Sequence, residues 1–138
     1  MFVLDTDHLS LHQHGHPLIS ARIQYTPNSL LAASIISYEE QLRGWFDVIR
    51  RVEQTPKIAL AYQSLHEMHE YFCRVQLLDF TAQAHVIYEG LRRQFRRHGA
   101  MDLRIAATVL AVDGVLVTRN TRDFSEISEL KIEDWTLV

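Results

Sequence analysis

Short apolar runs alternate along this chain with longer stretches of helical period, and that alternation limits the folds open to it. Residues 2–5 (F-V-L-D), 30–36 (L-L-A-A-S-I-I), 75–80 (V-Q-L-L-D-F) and 114–118 (G-V-L-V-T) have the length and content of strands, with 131–137 a candidate fifth. Between them lie helical patterns. From Ser37, Leu42, Trp45, Phe46, Ile49 and Val52 share one face, and Ser37 with Glu40 makes a capping-box pair. Pro56 opens a helix over 57–72, Thr81 caps another to about Arg97, and 102–112 forms a further one. Strands apolar on both faces and separated by helices imply a parallel sheet covered on both sides. The stretch T-D-H-L-S-L-H-Q-H-G-H-P after the first strand reads as a polar, punctuated segment beginning with a helical turn.

At 138 residues, with 47% hydrophobic content and few Gly or Pro, the chain fits one domain (1–138) with a sizeable core. Its single cysteine, Cys73, excludes an internal disulfide and reads as a buried structural residue in a reducing compartment. The first residues look like a strand rather than a signal peptide, and no apolar run reaches membrane length. The expectation is a soluble cytoplasmic protein with no membrane association. A net charge of −3 argues against a general cationic coat. The arginines nevertheless cluster, at Arg43, Arg50 and Arg51 and again at Arg92, Arg93, Arg96 and Arg97, which leaves room for local anion-binding surfaces.

In a parallel sheet the carboxyl ends of the strands share one edge, where ligands bind. Asp5 ends the first strand, Glu40 lies one turn into the helix after the second, and Asp102 begins the helix leading to the fourth. Asn120 and Asp123 follow that strand. Each has an ordinary explanation. Asp102 suits a helix cap, Asp5 a turn, Glu40 a capping box, and Asp123 the cap of a short helix. Four such explanations would then have to coincide at one edge. Carboxylates so gathered repel one another unless a cation joins them. Mg²⁺ or Mn²⁺ takes oxygen ligands, holds phosphate oxygens and activates water, so this edge is suited to phosphodiester hydrolysis.

"LDTD" (4–7), "SIISYEEQLRG" (34–44), "DLRIAATVLAVDGVLVTRNTRDF" (102–124) and "ISELKIEDW" (127–135) together resemble the PIN-domain family, and within it the VapC toxins of toxin–antitoxin pairs. The resemblance spans nearly the whole chain. It implies a PIN-like α/β/α sandwich around a central parallel sheet of four or five strands. It also implies a Mg²⁺- or Mn²⁺-dependent endoribonuclease acting on tRNA or ribosomal RNA and leaving a 5′-phosphate and a 3′-hydroxyl. A homodimer and a VapB-like antitoxin partner are expected with it. Carried over by position, the metal-binding catalytic acids are Asp5, Glu40, Asp102 and Asp123, with Glu39 on the solvated side. Relatives differ at the fourth acid: some put it where this chain has Asn120, others three residues later. Thr6, Thr118 and Asn120 support the acids, Asp7 follows where relatives often have Asn, and Arg119 and Arg122 would contact RNA phosphates.

Other signals compete. His12, His14 and His16 alternate in a candidate metal-binding loop, but no cysteine or acid sits at ligand spacing, and a solvated loop is the stronger reading. "HEMHE" (66–70) places its histidines three apart, which spoils the zinc-protease spacing. The R-R-Q-F-R-R run at 92–97 reads equally as RNA surface or as a solvated helix face with Phe95 inward. Trp45, Phe46 and Tyr62 suit either core packing or a contact patch. A histidine-based, metal-independent ribonuclease and a non-catalytic RNA- or protein-binding module are the alternative functions.

Overall fold

A computed structural model describes all of residues 1–138. The strands are β1 (Phe2–Leu4), β2 (Leu31–Ser34), β3 (Leu77–Leu78), β4 (Val115–Val117) and β5 (Lys131–Glu133). They form one five-stranded sheet in the order β3-β2-β1-β4-β5, with every pairing parallel. The helices are α1 (Thr6–Gln13), α2 (Pro17–Tyr25), α3 (Ile35–Val52), α4 (Ile58–Cys73), α5 (Ala82–Gln94), α6 (Ala100–Ala111) and the short α7 (Thr121–Phe124). The parallel sheet and its helical layers are those expected from the apolar runs. The strands are shorter than those runs, which extend into helix starts after β1 and β2 and into loops around β3, β4 and β5.

The side-chain alternation of the strands builds two cores. Val3, Ala32 and Leu116 point to one face, packing with Tyr88 and Leu91 of α5 and Leu103, Ala106 and Ala107 of α6. Leu4, Ala33 and Val117 point to the other, against Leu9 of α1, Ile19 of α2, and Met68 and Phe72 of α4. Both layers are fully buried at their centres, so the register is fixed: a one-residue slip would exchange the two faces. At the start of β4, Asp113 takes φ of 50°, and Val115 donates its N–H to the Met1 carbonyl at 2.9 Å. A Cβ on Gly114 would stand 3.0 Å from that same carbonyl, so the close approach of β4 to the N-terminus requires glycine there.

Several local expectations are corrected. The segment read as polar and punctuated is two helices. Asp5 caps α1, accepting from the His8 N–H at 2.8 Å. Gly15 supplies a positive φ of 79°, and Pro17 opens α2, whose cap is the ring of His16. The three alternating histidines are thereby dispersed. The His12 Nδ1 lies 2.7 Å from the Tyr71 hydroxyl, His14 Nδ1 lies 2.7 Å from the Ser10 carbonyl, and His16 accepts from Ile19 N–H at 3.4 Å. Helix α3 begins at Ile35, capped by Ser34, so Ser37 is a buried first-turn residue and the capping box does not form. Gly99, not Asp102, holds the cap position of α6. Helix α5 stops at Gln94, short of Arg97. Cys73 is exposed, as are Phe46 and Tyr62, while Trp45 is half-buried.

Candidate acid-lined active site

The registers Leu4↔Ala33 and Leu4↔Val117 bring the residues after three strands to one level. From β1 the chain moves to β2 and β3 on one side, then returns to β4 on the other. The crevice between β1 and β4 is therefore the topological switch point, where a parallel sheet opens a binding site at its carboxyl edge. An open recess of about 380 Å³ lies there, lined by Asp5, Thr6, Asp7, Ser10, Glu40, Asp102, Ile105, Asn120 and Phe124.

Asp5 is nearly buried, at 8% exposure, and its backbone N–H donates to the Val117 carbonyl at 2.9 Å. Because its Oδ1 is engaged as the α1 cap, the carboxylate is held in one orientation. Glu40 enters from the second turn of α3. The Thr6 Oγ1 lies 2.6 Å from Glu40 Oε1 and 2.9 Å from Ser37 Oγ. A hydroxyl carries one proton, and the shorter contact is to the charged oxygen. Thr6 thus donates to Glu40 while accepting from Ser37. Burial pushes the Glu40 carboxyl above its usual range, the Thr6 bond opposes this, and the charges of Asp102 and Asp5 add to the rise.

Asp102 sits in the first turn of α6, one face of which is sunk in the core. Its carboxyl is also raised, by burial first and then by the charges of Asp5 and Asp123, with His98 pulling the other way. Asn120 donates its backbone N–H to Thr118 Oγ1 at 3.0 Å and its Nδ2 to Asp123 Oδ2 at 3.2 Å. Asn120 lines the recess. Asp123 is exposed on α7 and stands behind Asn120. The structure thus brings together Asp5, Glu40, Asp102, Thr6 and Asn120, with Thr118 buried beneath them, and leaves Asp123 at the margin.

Two features were not read from the sequence. Arg119 forms a two-pronged ion pair with Asp7, Nε to Oδ2 at 2.6 Å and the terminal nitrogen to Oδ1 at 2.9 Å. Arg122 has no such partner. His8, fully buried beneath Asp5, accepts from the Trp135 N–H at 3.3 Å through Nε2, which leaves the proton on Nδ1. That Nδ1 lies 3.3 Å from Asp5 Oδ1 and makes no hydrogen bond. A helix beginning at Asp5 would have turned His8 inward; the loop reading of this segment hid it.

Ligand atoms of Asp5, Asp7 and His8 lie within 4.8 Å of one another, although Asp7 is paired with Arg119 and His8 is buried outside the recess. Glu40 and Asp102 are not in that tight group but share its recess and its electrostatics. The donor set is mainly carboxylate oxygen, drawn from separate elements, and the nearest arginine is already taken by Asp7. Such a set fits a hard divalent cation.

No family model matches the chain. Ribonuclease VapC1 of Haemophilus influenzae (strain R2866) is 29% identical over 140 residues, covering 99% of this chain and 98% of the relative. The tRNA(fMet)-specific endonuclease VapC of Shigella flexneri is 31% identical over 84 residues, 58% of this chain and 64% of that protein. The 2.2 Å structure of VapBC-1 from nontypeable Haemophilus influenzae superposes with a TM-score of 0.73 and 28% identity, covering 99% of this chain and 98% of that one. Its five parallel strands, flanking helices and acid-lined switch point put the chain in the fold class of these VapC structures. Within that class it is VapC-like.

Proposed function

We propose that this chain is the toxin of a toxin–antitoxin pair, an endoribonuclease that hydrolyses RNA with Mg²⁺ or Mn²⁺ held by Asp5, Glu40 and Asp102. The observation that carries this reading is the convergence of three carboxylates from β1, α3 and α6 at the switch point, two of them raised by burial and mutual repulsion. The names of the relatives support RNA as substrate, and transfer RNA is the class to test first. A VapB-like protein is the expected partner.

A divalent ion bound there supplies a Lewis acid for the phosphate and lowers the pKa of water. The chain's own groups do the positioning. Asp5 is fixed by the α1 cap, and the Thr6 hydroxyl donates to Glu40, opposing the rise that burial imposes on its carboxyl. Asp102 is carried on a helix that cannot shift without opening the core. Asn120 presents its amide at the rim and restrains Asp123, which serves as an outer acid. In the reaction a water oxygen bonds to phosphorus, the P–O3′ bond breaks, and the 3′-oxygen departs with a proton. A histidine-based mechanism lacks its groups here. His8 is sealed in the core, His12 faces Tyr71, and His98 lies beyond Asp123, so no imidazole lines the recess.

Mapping RNA ends after expression of the wild type and of Asp5→Asn tests the reading. Metal-dependent cuts bearing 5′-phosphates, absent from the variant, are expected. Cleavage that resists EDTA and leaves cyclic phosphates would overturn it.

A further inference from the structure

Four arginines, Arg92, Arg93, Arg96 and Arg97, stand within six residues at the end of α5, in a chain whose net charge is −3. Most other arginines, Arg51 and Arg122 apart, have a partner where they lie. Arg22, Arg43, Arg50, Arg74 and Arg119 pair with Glu133, Glu39, Asp47, Glu70 and Asp7, and the Arg104 guanidinium lies 5.2 Å over the Tyr88 ring. None of the four at α5 forms an ion pair. Two carboxylates lie beside them, and each faces a histidine instead, Glu89 at 3.0 Å from His85 and Glu126 at 3.4 Å from His98. Arg92 has one long contact, 3.5 Å, to the Tyr88 hydroxyl. Compensation of the helix dipole accounts for Arg92 and Arg93 in the last turn of α5. It does not account for Arg96 and Arg97, which lie past the helix end.

Their place in the fold gives the cluster a direction. Arg93, Arg96 and Arg97 share a shallow recess with His98 and Glu126. His98 Nε2 in turn lies 3.1 Å from the Asp123 carbonyl, and the His98 imidazole acts electrostatically on Asp102. The cationic surface therefore abuts the acidic one. The loop that carries it is anchored, because the Phe95 ring packs against the core and meets the His98 ring at 5.3 Å. The neighbouring recess of Glu89, Arg92, Arg93 and Arg96 contains no apolar side chain. A protein partner is normally anchored by apolar or aromatic groups in pockets, whereas a phosphate backbone needs only cationic forks.

We propose that Arg92, Arg93, Arg96 and Arg97 form the surface that binds the phosphate backbone of substrate RNA beside the scissile bond. The proposal rests on the ribonuclease reading, and it moves the main phosphate contacts away from Arg119, whose guanidinium is committed to Asp7. The test is binding of fluorescently labelled bulk transfer RNA, in EDTA to prevent cleavage, by the full chain and by its Arg92→Gln/Arg93→Gln/Arg96→Gln/Arg97→Gln variant. These side chains are exposed, so the variant should melt with the wild type, which a thermal scan checks. Each phosphate contact contributes about 0.7–0.9 to the slope of log affinity against log salt. The quadruple variant is expected to flatten that slope by about 3 and to lose at least tenfold in affinity at about 0.1 M salt. An Arg43→Gln/Arg50→Gln/Arg51→Gln control on α3 should lose far less. Equal losses in variant and control, or an unchanged slope, would overturn the proposal. So would a variant that keeps RNA affinity but loses its antitoxin, since the surface would then belong to an acidic protein. A wild type that binds RNA through this surface but cuts none in Mg²⁺ or Mn²⁺ refutes the nuclease reading and supports this one.

Discussion

Removing one charge from the acid recess should stabilise the metal-free protein and abolish its response to metal. Asp102 is the choice, because its carboxyl is raised by burial and by the charges of Asp5 and Asp123. A raised carboxyl means that the folded state holds its proton more tightly than the unfolded chain. The resulting penalty is absent below the unfolded value, grows as pH rises toward the folded value, and is complete above it. Above the folded value the wild type bears all of it. Asp102→Asn, nearly the same shape, removes it. The side chain is only partly buried, so solvent screening limits the gain to about 1 kcal/mol. Unfolding entropy of about 2.1 cal/mol/K per residue, over 138 residues, makes that a rise of about 3 °C in Tm. Metal at a hundredfold excess over its Kd adds about 2.7 kcal/mol to the wild type, or about 9 °C. Differential scanning fluorimetry in EDTA and with Mn²⁺, at pH 7 and below about pH 3, reads both effects. The variant should melt higher than the wild type in EDTA at pH 7, converge with it at the lower pH, and show little rise with Mn²⁺. A variant that melts lower in EDTA, or that responds to Mn²⁺ as the wild type does, would refute the view of this recess as an uncompensated carboxylate site.

Two further perturbations probe the supports. Thr6→Val removes the 2.6 Å bond that opposes the rise of the Glu40 carboxyl, so that carboxyl rises further; the acid limb of the RNA-cleavage pH profile should move to higher pH, with about a tenfold loss of rate, while Thr6→Ser keeps the wild-type profile. His8→Leu leaves the Trp135 N–H without its 3.3 Å acceptor, at a cost of about 1–3 kcal/mol; a Tm within 1–2 °C of wild type would show that the imidazole is not what joins α1 to the C-terminal segment.

The layout of this fold was legible because its strands are buried on both faces. Runs such as F-V-L and V-L-V leave a strand no solvated side, and only a parallel sheet between helical layers accommodates several of them. The same reasoning placed Asp5, Glu40 and Asp102 at one edge, since parallel strands align their carboxyl ends whatever their separation in sequence. Local details failed where capping outweighed periodicity. Residues 6–25 carry little helical amphipathicity to read, and what makes them helical is Asp5, Pro17, the His16 ring and a left-handed Gly15. Ser37 and Ser34 are both plausible caps by composition. Ser34 ends β2, pairing with Leu78 of β3 where that ladder closes, so it caps the helix that starts at Ile35.

That shift of cap changes the meaning of Glu40. Had Ser37 capped the helix, its partner glutamate would have been turned back onto the backbone and unavailable to a ligand. With Ser34 as cap, Ser37 is buried in the first turn and supports Thr6, and Thr6 holds Glu40 at the recess. Asp5 follows a different rule, for it caps α1 and lines the site at once: one oxygen takes the His8 N–H and the carboxylate still borders the recess. The helix cap therefore fixes the orientation of an acid that electrostatics alone would push away from Glu40 and Asp102. Folding energy from α1 is in this way used to hold like charges together, and the divalent cation expected among them would remove the remaining repulsion.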